Sequence, residues 1–137
     1  MAIDVRRVQY YHVTVTDEPG AAYKILTELA GAEINLLAFN AIPTGPEHTQ
    51  LTLFPEHPEK LVPVADRLGL VMFGPHTAFF VCGDDRLGAL AELHQKLFDA
   101  SINVYASNGV SDGSGHFGYV LYVRGQDYES AASALGA

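Results

Sequence analysis

The sequence predicts an α+β fold made of one small βαββαβ unit used twice in tandem. Three observations predict it. The chain matches itself when slid by 68 residues, its apolar residues alternate with period two in some segments, and they recur at helical spacing in others. The self-match is ungapped from Asp17 to Phe54 and contains 12 identities in 38 positions, among them Asp17/Asp85, Gly20/Gly88, Ala21/Ala89, Ile34/Ile102 and Asn35/Asn103. Random pairing would give roughly two or three. The repeat is therefore the frame for every element that follows.

Within the first copy, Tyr10–Thr16 reads as a half-buried strand. Tyr11, Val13 and Val15 face one way and His12, Thr14 and Thr16 the other. Asp17-Glu-Pro-Gly then starts a helix, because proline is tolerated in a first turn and acidic residues suit its positive end. Ala22, Ile25, Leu26, Leu29 and Ala30 form the apolar stripe, and Gly31 is expected to end it. Residues 34–42 and 48–54 make a hairpin about Thr44-Gly45-Pro46. Leu61, Val64, Ala65 and Leu68 mark a second helix, and residues 70–73 a short closing strand.

The second copy follows suit. Residues 77–82 give its first strand, and Leu90, Leu93, Leu97 and Phe98 its first helix. Residues 102–108 and 117–123 give its hairpin, and Tyr128, Ala131, Ala132 and Leu135 its second helix. The expected domains are residues 1–74, carrying an N-terminal strand segment at 2–8, and residues 75–137. Each is a ferredoxin-like unit, an antiparallel sheet with helices on one face. The second copy lacks residues for its closing strand. Ile3 and Val5, alternating with Asp4 and Arg6, are the candidate replacement, from the same chain or a partner.

Composition narrows the function. The net charge is −8, from 8 basic and 16 acidic residues, and the basic ones are scattered. Nucleic acid and anionic membranes are poor partners for such a surface. The single cysteine, Cys82, forms no disulfide within the chain and no cysteine metal cluster, and nothing resembles a signal peptide or a membrane span. A cytoplasmic protein is the expectation.

Residues 11–22, Tyr-His-Val-Thr-Val-Thr-Asp-Glu-Pro-Gly-Ala-Ala, then an amphipathic helix, then Ala32-Glu-Ile-Asn-Leu, resemble an ACT domain. The family's pattern is a strand ending in D-x-P-G, a helix, and G-[IV]-N-[IL] leading into the second strand. The second copy carries Ala100-Ser-Ile-Asn-Val, but Asp85-Arg-Leu-Gly lacks the proline. The resemblance runs from about Val8 to Leu135. It implies paired regulatory modules that bind an amino acid or another small effector at the seam between them, without a catalytic domain.

At the Asp17-Glu18-Pro19-Gly20-Ala21 turn, free helix N–H groups suit a carboxylate, and Asp17 or Asn35 an ammonium. The plainer alternative is that Asp17 caps the helix and Gly20 permits close helix–sheet packing. Asp85, Gly88 and Ala89 are the second copy's equivalents, with more weight on the first turn. Asn35, Leu36, Asn103 and Val104, where the second strands begin, either close a loop or flank the ligand.

Of the six histidines none forms an HxH or HxxxH pair, and His48 and His116 are repeat equivalents. A metal site is not expected, nor a cofactor. There is no G-x-S-x-G, P-loop or dinucleotide-binding glycine pattern. The glycine-rich run 109–115 is a hairpin turn, and Cys82 sits mid-strand opposite no histidine.

The leading expectation is thus a non-catalytic sensor of an amino-acid-like effector. It homodimerises through sheet edges and the aromatics Tyr10, Phe80, Tyr105 and Tyr122. A ligand-free interaction module acting on a metabolic enzyme is the alternative. A small enzyme would need a polar cleft with shifted pKa values.

Overall fold

The computed structural model describes residues 3–137. Met1 and Ala2, and with them the start of the expected segment 2–8, lie outside the described residues. The elements run β1 (Asp4–Thr16), α1 (Ala21–Gly31), β2 (Leu36–Pro43), β3 (His48–Pro55), α2 (Pro58–Leu68), β4 (Phe73–Asp84), α3 (Ala89–Asp99), β5 (Ala106–Ser111), β6 (His116–Tyr122), a 3₁₀ turn (Gly125–Asp127) and α4 (Tyr128–Leu135).

The chain divides into two compact units. The first is Gln9–His76; the second is Thr77–Ala137 together with the N-terminal residues up to Val8. In the first, β3 lies between β2 and the later part of β1, whose other neighbour is the start of β4. In the second, β6 lies between β5 and the later part of β4, whose other neighbour is the start of β1. Each unit thus has four strands in ferredoxin-like order, and β1 and β4 each supply a strand to both.

The segment ahead of the first copy therefore supplies the second unit's edge strand from within the same chain. Ile3 and Val5 pack against the second core. Arg6 lies over the Phe80 ring at 5.4 Å, and Arg7 reaches both Glu129 carboxylate oxygens at 3.0 and 2.9 Å. Apolar burial carries most of this attachment, since exposed ion pairs contribute little.

The repeat holds residue for residue. Tyr11 faces Leu53 across the sheet, and Phe79 faces Leu121; Ala41 faces Leu51, and Gly109 faces Tyr119. One core gathers Tyr11, Val13, Ile25, Leu29, Leu51, Leu53 and Leu61. The other gathers Phe79, Val81, Leu93, Leu97, Leu121 and Ala131, with Tyr128 stacked on Phe79 at 4.6 Å and its hydroxyl donating to the Ala78 carbonyl at 2.9 Å.

Several expectations shift. The closing strand of the first copy is not residues 70–73; it begins at Phe73 and runs on as β4, so that one strand closes one unit and opens the next. The strand expected at 102–108 starts only at Ala106, because Ile102 is spent as a core plug beneath α3. Gly31 is the last residue of α1, as expected, but the left-handed turn that follows is not made by it. The chain leaves α1 through Glu33 at φ 60°, and leaves α3 through Ser101 at φ 59°. These are the positions where the family pattern has glycine, so two ordinary side chains hold a backbone that glycine adopts at lower cost.

Candidate functional site

Both helix-start turns are built alike. Gly20 has φ 87° and Gly88 φ 85°, each the residue preceding its helix. Nothing lies within 4 Å of where a β-carbon would sit on either. Their requirement is the left-handed backbone, not the close packing expected of Gly20. Asp17 makes no cap either; its amide donates to the Glu47 carbonyl at 2.8 Å. Asp85 repeats that bond to Gly115 at 2.9 Å. Both turns are thereby pinned to the hairpin tip of their own unit.

Their side chains then diverge. In the first unit Asp17, Glu18, Pro19 and Gly20 are exposed, Ala21 is half-buried, Asn35 is exposed and Leu36 half-buried. In the second, Asp85, Gly88 and Ala89 line a cleft of about 570 Å³ between the start of α3 and the edge strand β5. The Ser111 hydroxyl donates to the Asp85 carboxylate at 2.8 Å. Arg86 is drawn aside into a two-point pair with Glu92, with Nη1 2.9 Å from Oε1. That pairing holds the Glu92 carboxyl below its usual range and raises the Arg86 guanidinium. Leu87, Leu90 and Val110 give the cleft an apolar rim.

The cleft thus offers a carboxylate with a hydroxyl beside it, apolar surface, and a helix start at which the Ala89 and Glu92 amides donate to the Arg86 and Gly88 carbonyls, each at 3.1 Å, which leaves those of Leu90 and Ala91. Such a set complements a molecule carrying an ammonium, a carboxylate and an apolar group. Asn103 and Val104 do not join it. They line a separate cleft of about 460 Å³ farther along α3, with His94, Phe98 and Tyr105.

The remaining candidates are structural or at the surface. His12 lies in β1 with Nδ1 3.2 Å from Thr52 Oγ1, its ring 5.3 Å from Tyr10 and 5.4 Å from His76. Burial first, and then the charge of His76, lower its pKa below the ordinary histidine value. His116 is exposed between Asp84 and Asp112. Among the described residues no group of three His, Cys, Asp or Glu is placed to hold a metal ion.

The sequence reading missed the pairing of His94 with Tyr119, whose Nε2 and hydroxyl oxygen lie 2.6 Å apart. A signal was available. Their repeat equivalents are Leu26 and Leu51, so two polar residues replace two apolar ones at core-facing positions.

No protein-family model matches the sequence, and no curated protein matches it. Solved structures do match its fold. A protein from Bacteroides thetaiotaomicron superposes with a TM-score of 0.80 at 14% identity, over 96% of this chain and 88% of that one. The regulatory subunit of aspartate kinase from Thermus thermophilus gives 0.61 at 20% identity, over 98% and 93%. Its counterpart from Thermus flavus gives 0.59 at 19%, over 98% and 94%. The chain has the fold of a tandem ACT-domain protein. The two units of that fold are those built on β1–α1–β2–β3–α2–β4 and on β4–α3–β5–β6–α4 with the start of β1. No described helix is long and apolar enough to cross a membrane.

Proposed function

We propose that this chain is a non-catalytic regulatory protein that binds a small zwitterionic effector, an amino acid in the first instance, in the cleft between Asp85–Ala91 and β5. The cleft itself carries the reading: Asp85, fixed by Ser111, stands beside the start of α3 and an apolar rim. The likeness to aspartate kinase regulatory subunits supports it by analogy of fold. Asp85 would receive the ammonium, the N–H groups of Leu90 and Ala91 the carboxylate, and Leu87, Leu90 and Val110 the side chain. The equivalent first turn, Asp17–Ala21 with Asn35 and Leu36, is the weaker site.

A thermal-shift screen of the full chain against the twenty amino acids tests this. An effector at 100 times its Kd stabilises by about 2.7 kcal/mol. Asp85→Asn should remove the shift, whereas Asp17→Asn should leave it. A screen with no hit, or a hit indifferent to Asp85→Asn, rejects the reading, and steady turnover of a substrate rejects the non-catalytic part.

A second reading, a ligand-free module that docks on a metabolic enzyme or on its own copy, draws on exposed apolar residues. Leu87 is fully exposed, Phe98 79% and Val110 72%. Sedimentation of the purified chain separates monomer from homodimer, and co-purification with one enzyme in the absence of any amino-acid effect would favour this reading.

A further inference from the structure

The cleft that Asn103 and Val104 line is absent from the effector reading, and its making can be traced residue by residue. At the repeat offset of 68, His94 stands for Leu26, Tyr119 for Leu51, Gly109 for Ala41, Phe98 for Ala30 and Tyr105 for Leu37. His94, Phe98 and Tyr105 line the cleft itself, whereas Tyr119 and Gly109 do not, and Gly109 lines the effector cleft. Tyr119 and Gly109 are nonetheless geometrically interlocked with His94. Tyr119 is 5% exposed, and its hydroxyl reaches His94 at 2.6 Å. Its ring passes over Gly109, directly across the β5–β6 pair, where a β-carbon would sit 2.7 Å from Tyr119 Cδ1. In the first unit, Ala41 faces Leu51 at the same place, and no such ring has to be accommodated.

A tyrosine in place of leucine, an imidazole to meet its hydroxyl and a glycine to admit its ring form one concerted alteration. Burying a hydroxyl where leucine would serve costs stability unless the hydroxyl is bonded, so the pair is not explained by packing alone. The other two changes put aromatic rings at the mouth: Phe98 is 79% exposed and Tyr105 52%, with Arg124 5.7 Å from the Tyr105 ring. Large exposed aromatics at a concave site are unfavourable in water and favourable against a flat ligand face. Asn103 and Ser107 add hydrogen-bonding groups to the lining.

We infer that this cleft is a second binding site, distinct from the effector cleft, for a small planar aromatic or heteroaromatic molecule. The ring lies against Phe98 and Tyr105, and its polar edge meets His94, Asn103 and Ser107. The volume of about 460 Å³ falls within the range of small-molecule sites. The first unit has Leu26, Ala30 and Leu37 in place of His94, Phe98 and Tyr105, and Phe39 in place of Ser107, so it does not present the same set of groups.

The experiment is ligand-detected saturation-transfer NMR and titration calorimetry on the full chain. The probes are tyrosine, histidine, tryptophan and adenosine, with leucine and aspartate as non-aromatic controls. At least one aromatic probe should bind saturably. Phe98→Ala, at an exposed position, should weaken it by about tenfold or more, as should Tyr105→Leu, which carries the first unit's residue at a second exposed lining position. Asp85→Asn should leave that binding unchanged; a probe whose binding falls with Asp85→Asn instead belongs to the effector cleft and counts against this site. Failure of all four aromatic probes to bind, or binding that survives both cleft variants, overturns the inference.

Discussion

The two units share a backbone and differ in what they line it with. Strand registers, the left-handed glycines at 20 and 88, and the left-handed residues at 33 and 101 coincide at an offset of 68. Between the first helix and the edge strand, however, the first unit has Leu26, Leu51, Ala41, Ala30 and Leu37 where the second carries His94, Tyr119, Gly109, Phe98 and Tyr105. Backbone requirements have been kept in both copies, and side chains have diverged where a ligand could lie. That is the pattern expected when a fold is duplicated and one copy is specialised, since function resides in sites grafted on a scaffold.

The strongest break of the comparison is at the second unit's borrowed edge. Val5→Asp would place a carboxylate against that core and should destabilise the second unit by roughly 3 kcal/mol or more. Hydrogen exchange should show amides of β6 and α4 opening well before those of β3 and α2. Uniform loss across both units would show instead that they unfold as one.

Next in size is the interlocked triple. Gly109→Ala alone should cost about 1–3 kcal/mol, because the new methyl meets the Tyr119 ring at 2.7 Å. Adding Tyr119→Leu should recover much of that, so a double-mutant cycle should show strong coupling. In the first unit, Leu51→Tyr should be costly and Ala41→Gly should relieve part of the cost. Additive effects in chemical denaturation would refute the claim that these positions form one set.

A smaller effect with the opposite sign is expected at the left-handed positions. Glu33→Gly and Ser101→Gly should each stabilise by up to about 1 kcal/mol, because a β-carbon is disfavoured at φ near 60°. Glycine's greater freedom in the unfolded chain offsets part of the gain. Similar shifts in both copies would confirm that the two loops answer to one constraint. Different shifts would mean that the side chain of Glu33 or Ser101 contributes locally.

Much of this was legible in the sequence, because a gapless repeat fixes its own alignment and burial patterns follow from period two and period 3.6. The boundaries were harder. Residues 70–73 look strand-like because Leu70 and Met72 pack on the first core, yet the ladder begins only at Phe73. Residues of β5 are exposed throughout, so no burial pattern announces that strand. Asp85, Gly88 and Ala89 were legible as candidates through their equivalence to Asp17, Gly20 and Ala21. The weight of the sequence fell on the first turn, because only that one matches D-x-P-G. A cleft depends on the residues brought opposite the turn, Gly109–Ser111 here, and those lie twenty or more positions away.

The smallest expected effect concerns protons. His12 has a pKa below the ordinary histidine value, from burial and then from His76, while its equivalent, Phe80, does not titrate. A depressed folded-state value means that below about pH 6.5 the unfolded chain takes up the proton more readily than the folded one. The contribution is therefore fully present above that pH and is lost as pH falls through the folded-state value. Urea melts of the wild type at pH 7.5 and 5.5 should differ in this direction, with the lower stability at pH 5.5. His12→Gln should flatten the difference. An unchanged slope in His12→Gln would place the pH response on another group and remove this distinction between the two sheets.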